Sequence, residues 1–192
     1  MTKIILASGS PRRKQILQAI GLNIEIIKSP FIEQFDHEHF NYKSIEQLAY
    51  GKAKAVCDIL TEDEYLVIGA DTVVVLNNKV LGKPKNFEDA KNMLKMLSEK
   101  KHCVVTSICV INSKTKNFKI KSTTSYVEFN KLTEEMIVNY INNFKPYDKA
   151  GSYGIQELPK EFIKQIEGSY ENIIGLCPKA LKQLLFQHNY TN

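Results

Sequence analysis

Short apolar runs and stretches with helical spacing alternate along the chain. Residues 3–7 (KIILA) form an apolar run that ends in Ser8-Gly9-Ser10-Pro11, and apolar residues then recur at helical spacing as far as Gly21. This pattern predicts a strand, a tight loop and a helix. Residues 23–28 are predicted to form a second strand.

The middle of the chain predicts a long helix and then a hairpin. Ser44, followed by Gln47 three residues later, has the pattern of a capping box, so the helix is expected to start at Ser44. Residues 65–76 are rich in β-branched side chains and predict a long strand. Asn77-Asn78 is expected to turn the chain into a short return strand at residues 80–81.

Helix start signals and two further long strands complete the pattern. Asn86 and Thr133 are predicted N-caps, and Pro178 suits the first turn of the last helix. Residues 103–111 and 118–129 are predicted strands. With no repeat or linker, the alternation indicates one domain over residues 1–192, of the α/β or α+β class.

Composition narrows the classes of protein. The chain has 192 residues, 43% of them hydrophobic, and 26 Lys and Arg against 21 Asp and Glu, for a net charge of +5. This excludes a fully disordered chain, and no apolar run approaches the roughly 18 residues of a membrane span. We therefore expect a soluble intracellular protein without a membrane partner. The four cysteines form no CxxC pair, which suits free thiols and argues against zinc.

The basic stretch 114–121 has two interpretations. It can be a solvated hairpin tip or a patch for nucleic acid, and the hairpin tip is favoured because aromatic stacking residues do not accompany the lysines. We therefore expect no nucleic-acid partner. His37-Glu38-His39 lacks the i, i+4 spacing of a helical metal site and is expected to be a solvated loop.

The first loop has the features of an anion site. Ser10 can cap the helix and Pro11 can occupy its first position, so that unpaired backbone N–H groups point forward. Arg12 and Arg13 in the first turn oppose the helix dipole, and an anionic ligand would reverse this penalty. The alternative is that both arginines extend to water and pair with surface carboxylates.

Two charged residues break apolar patterns. Lys52 falls within the apolar stripe of its helix, where it needs an anionic partner unless it lies at the border of the stripe with its head in water. Asp71 interrupts a β-branched strand, beside Gly69 and Ala70, which are expected to leave room for a ligand. Metal binding or general-base chemistry fits Asp71, as does a strand-end carboxylate with satisfied hydrogen bonds.

Two further segments offer ligand groups. Lys83, just after the hairpin, can add a cation to the same cleft. The loop at residues 148–156 holds two glycines and ends in Gln156, whose amide has a donor and an acceptor for a base edge, although the loop can equally be a turn before a strand over residues 162–166.

Taken together, seven segments in order carry a family resemblance. They are LASGSPRR at 6–13, Glu33, Lys52-Ala53, IGADTVV at 68–74, LGKP at 81–84, DKAGSYGIQ at 148–156 and GSYENIIGL at 168–176. Over nearly its whole length the chain resembles the Maf (septum formation) family of nucleoside triphosphate pyrophosphatases. It is most similar to the branch acting on dTTP and UTP, whose specificity positions match Arg12, Thr72 and Gln156. It departs from the family pattern at Ile32, Ser107, Lys145 and Cys177.

The resemblance implies a fold and an activity. The fold is α/β, with a central mixed sheet flanked by helices and two lobes around a deep cleft. The implied activity is hydrolysis of nucleoside triphosphates to the monophosphate and pyrophosphate, in the cytoplasm, with Mg²⁺ or Mn²⁺. Modified pyrimidine nucleotides belong to the substrates that the resemblance allows. A homodimer is compatible with it. The alternative is a nucleotide-binding regulator linked to septum formation, with little catalysis.

The resemblance also assigns roles to residues. It implies that Asp71 is the proton acceptor and that Glu33 is the second acidic group at the metal. It implies that Lys52 and Lys83 are cations on the phosphate side, and that Ser8 and Arg13 belong to the phosphate loop.

Overall fold

The computed structural model describes residues 2–34, 37–60 and 64–190. Strands and helices alternate within these ranges. The elements are β1 (Lys3–Leu6), α1 (Pro11–Ala19), β2 (Ile24–Ile26), α2 (Tyr42–Cys57), β3 (Tyr65–Leu76), β4 (Lys79–Leu81), α3 (Phe87–Leu97), β5 (Lys101–Asn112), β6 (Phe118–Phe129), α4 (Glu134–Phe144), β7 (Ile163–Glu167), α5 (Tyr170–Ile174) and α6 (Pro178–Phe186). No helix in the described part of the chain is long and apolar enough to span a bilayer.

The strands of the described ranges form one mixed sheet. Its order is β2-β1-β3-β5-β6-β7, with β4 beside β3. The β2, β1 and β3 strands are parallel, whereas β3, β5, β6 and β7 are antiparallel neighbours. The mixed central sheet expected from the resemblance is therefore confirmed, and the basic stretch 114–121 includes the β5–β6 hairpin tip, as predicted.

Local sequence signals set most helix starts. The side chains of Asn86 and Thr133 cap α3 and α4, and Pro178 opens α6, as predicted. The predicted start of α2 at Ser44 is wrong. Asn41 caps that helix instead, because its side chain accepts a hydrogen bond from the Lys43 amide at 2.8 Å and the chain is already helical when it reaches Ser44.

Helices cover both faces of the sheet. One apolar cluster packs α2 against β1, β3 and β5, and another packs α1 and α6 against the opposite face. These two clusters form a first lobe. A third cluster joins α3 and α4 to the far ends of β3, β5 and β6 and to the loop before β7, and it forms the second lobe.

A bare stretch of strand edge lies between the lobes. The β1 strand pairs with β3 only as far as Ile68, and β4 begins to pair with β3 at Val74 on the same edge. Among the described residues no strand covers that edge between them. Asp71 and Thr72 lie in this gap, and because side chains alternate along a strand they point to opposite faces of the sheet.

Candidate functional site

A cleft of about 650 Å³ opens at the bare edge of β3. All nine residues predicted for the site line it. They are Ser8, Arg12, Arg13, Glu33, Lys52, Asp71, Thr72, Lys83 and Gln156. The sequence patterns and the family resemblance together therefore select residues that the fold brings together, while the chemical role of each one stays a prediction.

Lys52 joins two carboxylates at one end of the cleft. Its ammonium Nζ bonds to Asp71 Oδ1 and lies 2.8 Å from Glu33 Oε1. Lys52 and Asp71 are buried, whereas the side chain of Glu33 is half-exposed. The prediction that Lys52 lies within the apolar stripe and needs an anionic partner is confirmed. The two carboxylates therefore offset the energetic cost of burying the Lys52 ammonium group.

The electrostatics of Glu33 follow from this arrangement. Partial burial alone would raise the pKa of Glu33, but the hydrogen bond and the charge of Lys52, helped by Lys83 and Arg13, hold its pKa below the ordinary value. Glu33 is therefore a carboxylate at neutral pH.

Gly69 brings α2 close enough for Lys52 to reach Asp71. A methyl group at Gly69 would lie 2.2 Å from the Ala49 carbonyl oxygen and 2.7 Å from the Ala53 nitrogen. The expectation that Gly69 and Ala70 leave room for a ligand is wrong, because α2 fills the space beside Gly69 and Ala70 is buried in the core on the other face.

The loop before α1 has the predicted cap geometry. The Ser10 hydroxyl accepts a hydrogen bond from the Arg13 amide at 3.5 Å, and Pro11 begins the helix. Ser8 Oγ accepts from the Ser10 amide and from Arg13 Nη1, both at 3.2 Å. The Ser8 and Ser10 hydroxyls therefore accept hydrogen bonds from the loop itself and from the first turn of α1. The N-terminus of the helix faces the cleft.

Arg13 is held by three protein groups. Besides Ser8, its guanidinium donates to the Gly175 carbonyl at 2.9 Å and to Thr72 Oγ1 at 3.1 Å. Burial lowers the pKa of Arg13, and the nearby charge of Asp71 opposes this effect. An arginine remains charged under such conditions, so Arg13 places a fixed positive charge beside Asp71.

The Thr72 hydroxyl is hydrogen-bonded to the protein, although its side chain lines the cleft and is only partly buried. Its Oγ1 accepts from Arg13 and lies 2.9 Å from Thr106 Oγ1, and the Thr106 hydroxyl in turn donates to the Asn172 carbonyl. Because the Thr106 proton is already used, the Thr72 hydroxyl can donate to Thr106 Oγ1 or to the Gly175 carbonyl, which lies 3.4 Å away. Thr72 thus fixes the position of Arg13, a contact that sequence reasoning did not foresee.

The loop at residues 148–157 also lines the cleft. Arg12 Nη1 lies 2.9 Å from Asp148 Oδ2, and the buried Lys149 bridges Asp148 at 2.8 Å and Glu157 at 3.2 Å. Partial burial would raise the pKa of Asp148, yet Lys149 and Arg12 lower it to about 2. The alternative interpretation of Arg12 was that it pairs with a surface carboxylate. It does pair with one, Asp148, but this carboxylate also lines the cleft. Gln156 is exposed within the same loop.

Two exposed lysines line the cleft without an ion pair to any residue that the structure describes. They are Lys28, whose side chain lies beside Gly9, and the predicted Lys83. His37 also lines the cleft, close to Gly82, although the sequence indicated only a solvated loop. Sequence reasoning missed Lys28 because a lone lysine after a short strand carries no signal.

The described residues hold few metal ligands. No group of three or more His, Cys, Asp or Glu side chains within the described ranges comes together to hold a metal ion. A cation bound beside Glu33 and Asp71 would therefore take its other oxygen ligands from water and from a substrate, which is how Mg²⁺ is commonly held in phosphate-transfer sites.

A family comparison adds independent information. Residues 3–188 match the model of the family described as Maf-like protein. The chain belongs to the Maf family. The dTTP/UTP pyrophosphatase of Alkaliphilus oremlandii (strain OhILAs) is 44% identical to it over 188 residues, covering 98% of this chain and 97% of the relative. The dTTP/UTP pyrophosphatase of Thermotoga maritima is 39% identical, covering 98% of this chain and 90% of the relative.

A solved structure shares the fold of this Maf chain. The Ham1 protein of Staphylococcus aureus matches with a TM-score of 0.53 and 19% identity, over 98% of this chain and 100% of that one. At this identity the match concerns the fold alone. It agrees with the mixed α/β architecture that the sequence resemblance implied.

Proposed function

We propose that this Maf-family chain is a nucleoside triphosphate pyrophosphatase that hydrolyses dTTP and UTP to the monophosphate and pyrophosphate. The similarity to relatives named dTTP/UTP pyrophosphatase supports the substrates. The observation that carries the chemistry is the contact of one ammonium group, Lys52 Nζ, with both Asp71 and Glu33 in the cleft that also contains the loop before α1. Removal of surplus or modified pyrimidine nucleotides, in the cytoplasm, belongs to the same proposal.

Asp71 is the general base of the proposed reaction. A water molecule attacks the α-phosphorus, its proton passes to Asp71, and the bond between the α-phosphorus and the bridging oxygen breaks to release pyrophosphate. The bare edge of β3 leaves Asp71 accessible from the cleft although its side chain is mostly buried. Lys52 offsets one of the two negative charges on Asp71 and Glu33, which otherwise would repel the triphosphate more strongly.

The cationic residues bind the polyphosphate. Arg13, fixed by Ser8 and Thr72, presents a preorganised charge, and the exposed ammonium of Lys83 can follow the phosphates without breaking an ion pair within the described chain. Preorganised charge is effective because it needs little rearrangement as the transition state forms.

The carboxylates fit a divalent cation. Glu33 and Asp71 are hard oxygen ligands, and each carboxylate has a second oxygen besides the one that contacts Lys52 Nζ, so a metal ion would bind beside the ammonium group and not in its place. Mg²⁺ or Mn²⁺ held there would stabilise negative charge on the phosphate oxygens.

The part of the cleft lined by the 148–157 loop is proposed to bind the base. Gln156 is exposed in that loop, and its amide can pair with the donor and acceptor edge of a pyrimidine, while Arg12 is held against the same loop by Asp148. A site built on such hydrogen bonds rejects bases that leave its polar groups unpaired. Formation of a homodimer stays a prediction.

A nucleotide panel tests the proposal. The protein is incubated with each NTP and dNTP plus Mg²⁺, and pyrophosphate and orthophosphate are measured separately. We expect pyrophosphate release, fastest with dTTP and UTP. Binding without hydrolysis would favour the nucleotide-binding regulator, and release of orthophosphate first would contradict attack at the α-phosphorus.

Asp71→Asn tests the general base. The substitution preserves shape and removes the proton acceptor, so kcat should fall by about 10²–10⁴-fold, while nucleotide affinity measured by calorimetry should change much less. The matched control is Asp58→Asn, which removes an exposed carboxylate at the end of α2. Unchanged turnover of the Asp71 variant would exclude the proposed role.

A further inference from the structure

Glu33 lies on a segment without regular secondary structure. Residues 27–34 follow β2 and form neither helix nor strand. A carboxylate on such a segment can act with precision only where the segment is fixed to a rigid element. Two contacts fix it to α2, and both lie within one residue of Lys52.

The first contact is an aromatic ring seated on a glycine. Gly51 lies in the interior of α2, where glycine is less favourable than alanine. A methyl group at Gly51 would lie 2.5 Å from the Cε2 and Cζ atoms of Phe31. The Phe31 ring therefore occupies the space that any other side chain would fill.

The second contact is a hydroxyl bridge. Ser29 Oγ donates to the Lys52 carbonyl at 2.9 Å and accepts from the Phe31 amide at 3.3 Å. This bridge and the ring together fix the segment against residues 51 and 52, and the Lys52 ammonium reaches Glu33 from the same turn of the helix.

We propose that Ser29, Phe31 and Gly51 form a seat that positions Glu33 opposite Asp71, so that the two carboxylates meet across Lys52. The proposal deepens the proposed function and rests on it for the role of Glu33 in the reaction. The three are positioning residues, since they act on the chemistry through Glu33.

Gly51→Ala is the principal test. The added methyl displaces the Phe31 ring, so hydrogen exchange of the Phe31 amide, which donates to Ser29 Oγ, should accelerate at least tenfold, while exchange within α2 stays slow. For the same variant we expect kcat for dTTP to fall about tenfold or more, and the Mg²⁺ concentration for half-maximal activity to rise. Thermal stability should be maintained, because alanine favours the helix.

A double variant separates the seat from a general effect on the helix. Phe31→Ala removes the ring that the new methyl would meet, so Gly51→Ala should cause little further loss in that background. Strict additivity of the two substitutions would overturn the seat. Ser44→Ala, on the same helix away from the segment, is the matched control and should leave both exchange and turnover within twofold.

Ser29→Ala tests the second anchor and stands in if Gly51→Ala does not fold. It should accelerate exchange at Phe31 and lower kcat about tenfold. Unchanged exchange of the Phe31 amide in both single variants would overturn the proposal. Hydrogen exchange can be measured without catalytic turnover, so it tests the seat even if the wild-type protein releases no pyrophosphate. A lack of pyrophosphate release would contradict the proposed function and not the seat.

Discussion

Lys52 contacts both carboxylates that the proposed reaction uses. It is buried, and its removal would leave Asp71 and Glu33 facing each other without the cation that lies between them. Breaking a buried ion pair by removing one partner costs about 3–5 kcal/mol. Because the side chain of Glu33 is half-exposed to water, a smaller loss applies here.

We predict that Lys52→Met destabilises the fold by about 2 kcal/mol at pH 7. In the wild type the lowered pKa of Glu33 contributes stability above its ordinary pKa of 4.5, and this contribution is lost as the pH falls through the lowered value. In the variant, protonation relieves repulsion between the carboxylates, so acid should cost it less stability than it costs the wild type.

Thermal unfolding at pH 7 and pH 4 measures this difference. Lys52→Met combined with Asp71→Asn removes the uncompensated charge and should recover most of the lost stability at pH 7. A constant gap in Tm between wild type and the single variant at both pH values would contradict the electrostatic explanation.

At the scale of elements, the site depends on how closely α2 packs against β3. Gly69 allows this approach, since the α2 backbone occupies the position of its missing side chain. We predict that Gly69→Ala destabilises the fold by about 1–3 kcal/mol, because backbone atoms cannot yield as a flexible side chain can. It should also lower activity, since α2 carries Lys52.

Denaturant unfolding with Gly9→Ala as the stability control tests this prediction. A methyl group at Gly9 would make only ordinary contacts, at 3.7 Å from Lys28 Cγ, so that control should unfold near the wild-type midpoint. Equal midpoints for the two variants would show that α2 can shift without cost.

The same elements show what a sequence can predict. Asn86 and Thr133 mark helix starts because a cap is a contact within four residues, and the long strands show in their β-branched runs. The predicted start at Ser44 is wrong because the side chain of Asn41, three residues earlier, makes the capping hydrogen bond. The roles of Gly51 and Gly69 depend on contacts between distant segments, which periodicity does not contain.

For the whole molecule, the distribution of charge matters more than the net value of +5. The cleft collects cations from separate elements, and some of them are already paired: Arg12 with Asp148, and Lys52 with Asp71 and Glu33. Lys28 lines the same cleft as an exposed cation with no ion pair to a described residue. It can therefore attract a polyanion without first giving up a partner.

We predict that Lys28→Gln lowers kcat/KM for dTTP about two- to fivefold at low ionic strength. This loss corresponds to the free energy of roughly one exposed ion pair. The deficit should shrink towards wild type near 0.5 M salt, where the Debye length falls to about 4 Å and exposed charges are screened.

Lys54→Gln removes an exposed lysine of α2 that pairs with Asp58, and it is the matched control for the loss of one positive charge. Steady-state kinetics across a salt series shows whether the loss depends on the position of Lys28 in the cleft or only on the net charge of the protein. If both variants lose the same amount at low salt, the net charge of the protein attracts the substrate, and the position of Lys28 in the cleft has no special effect.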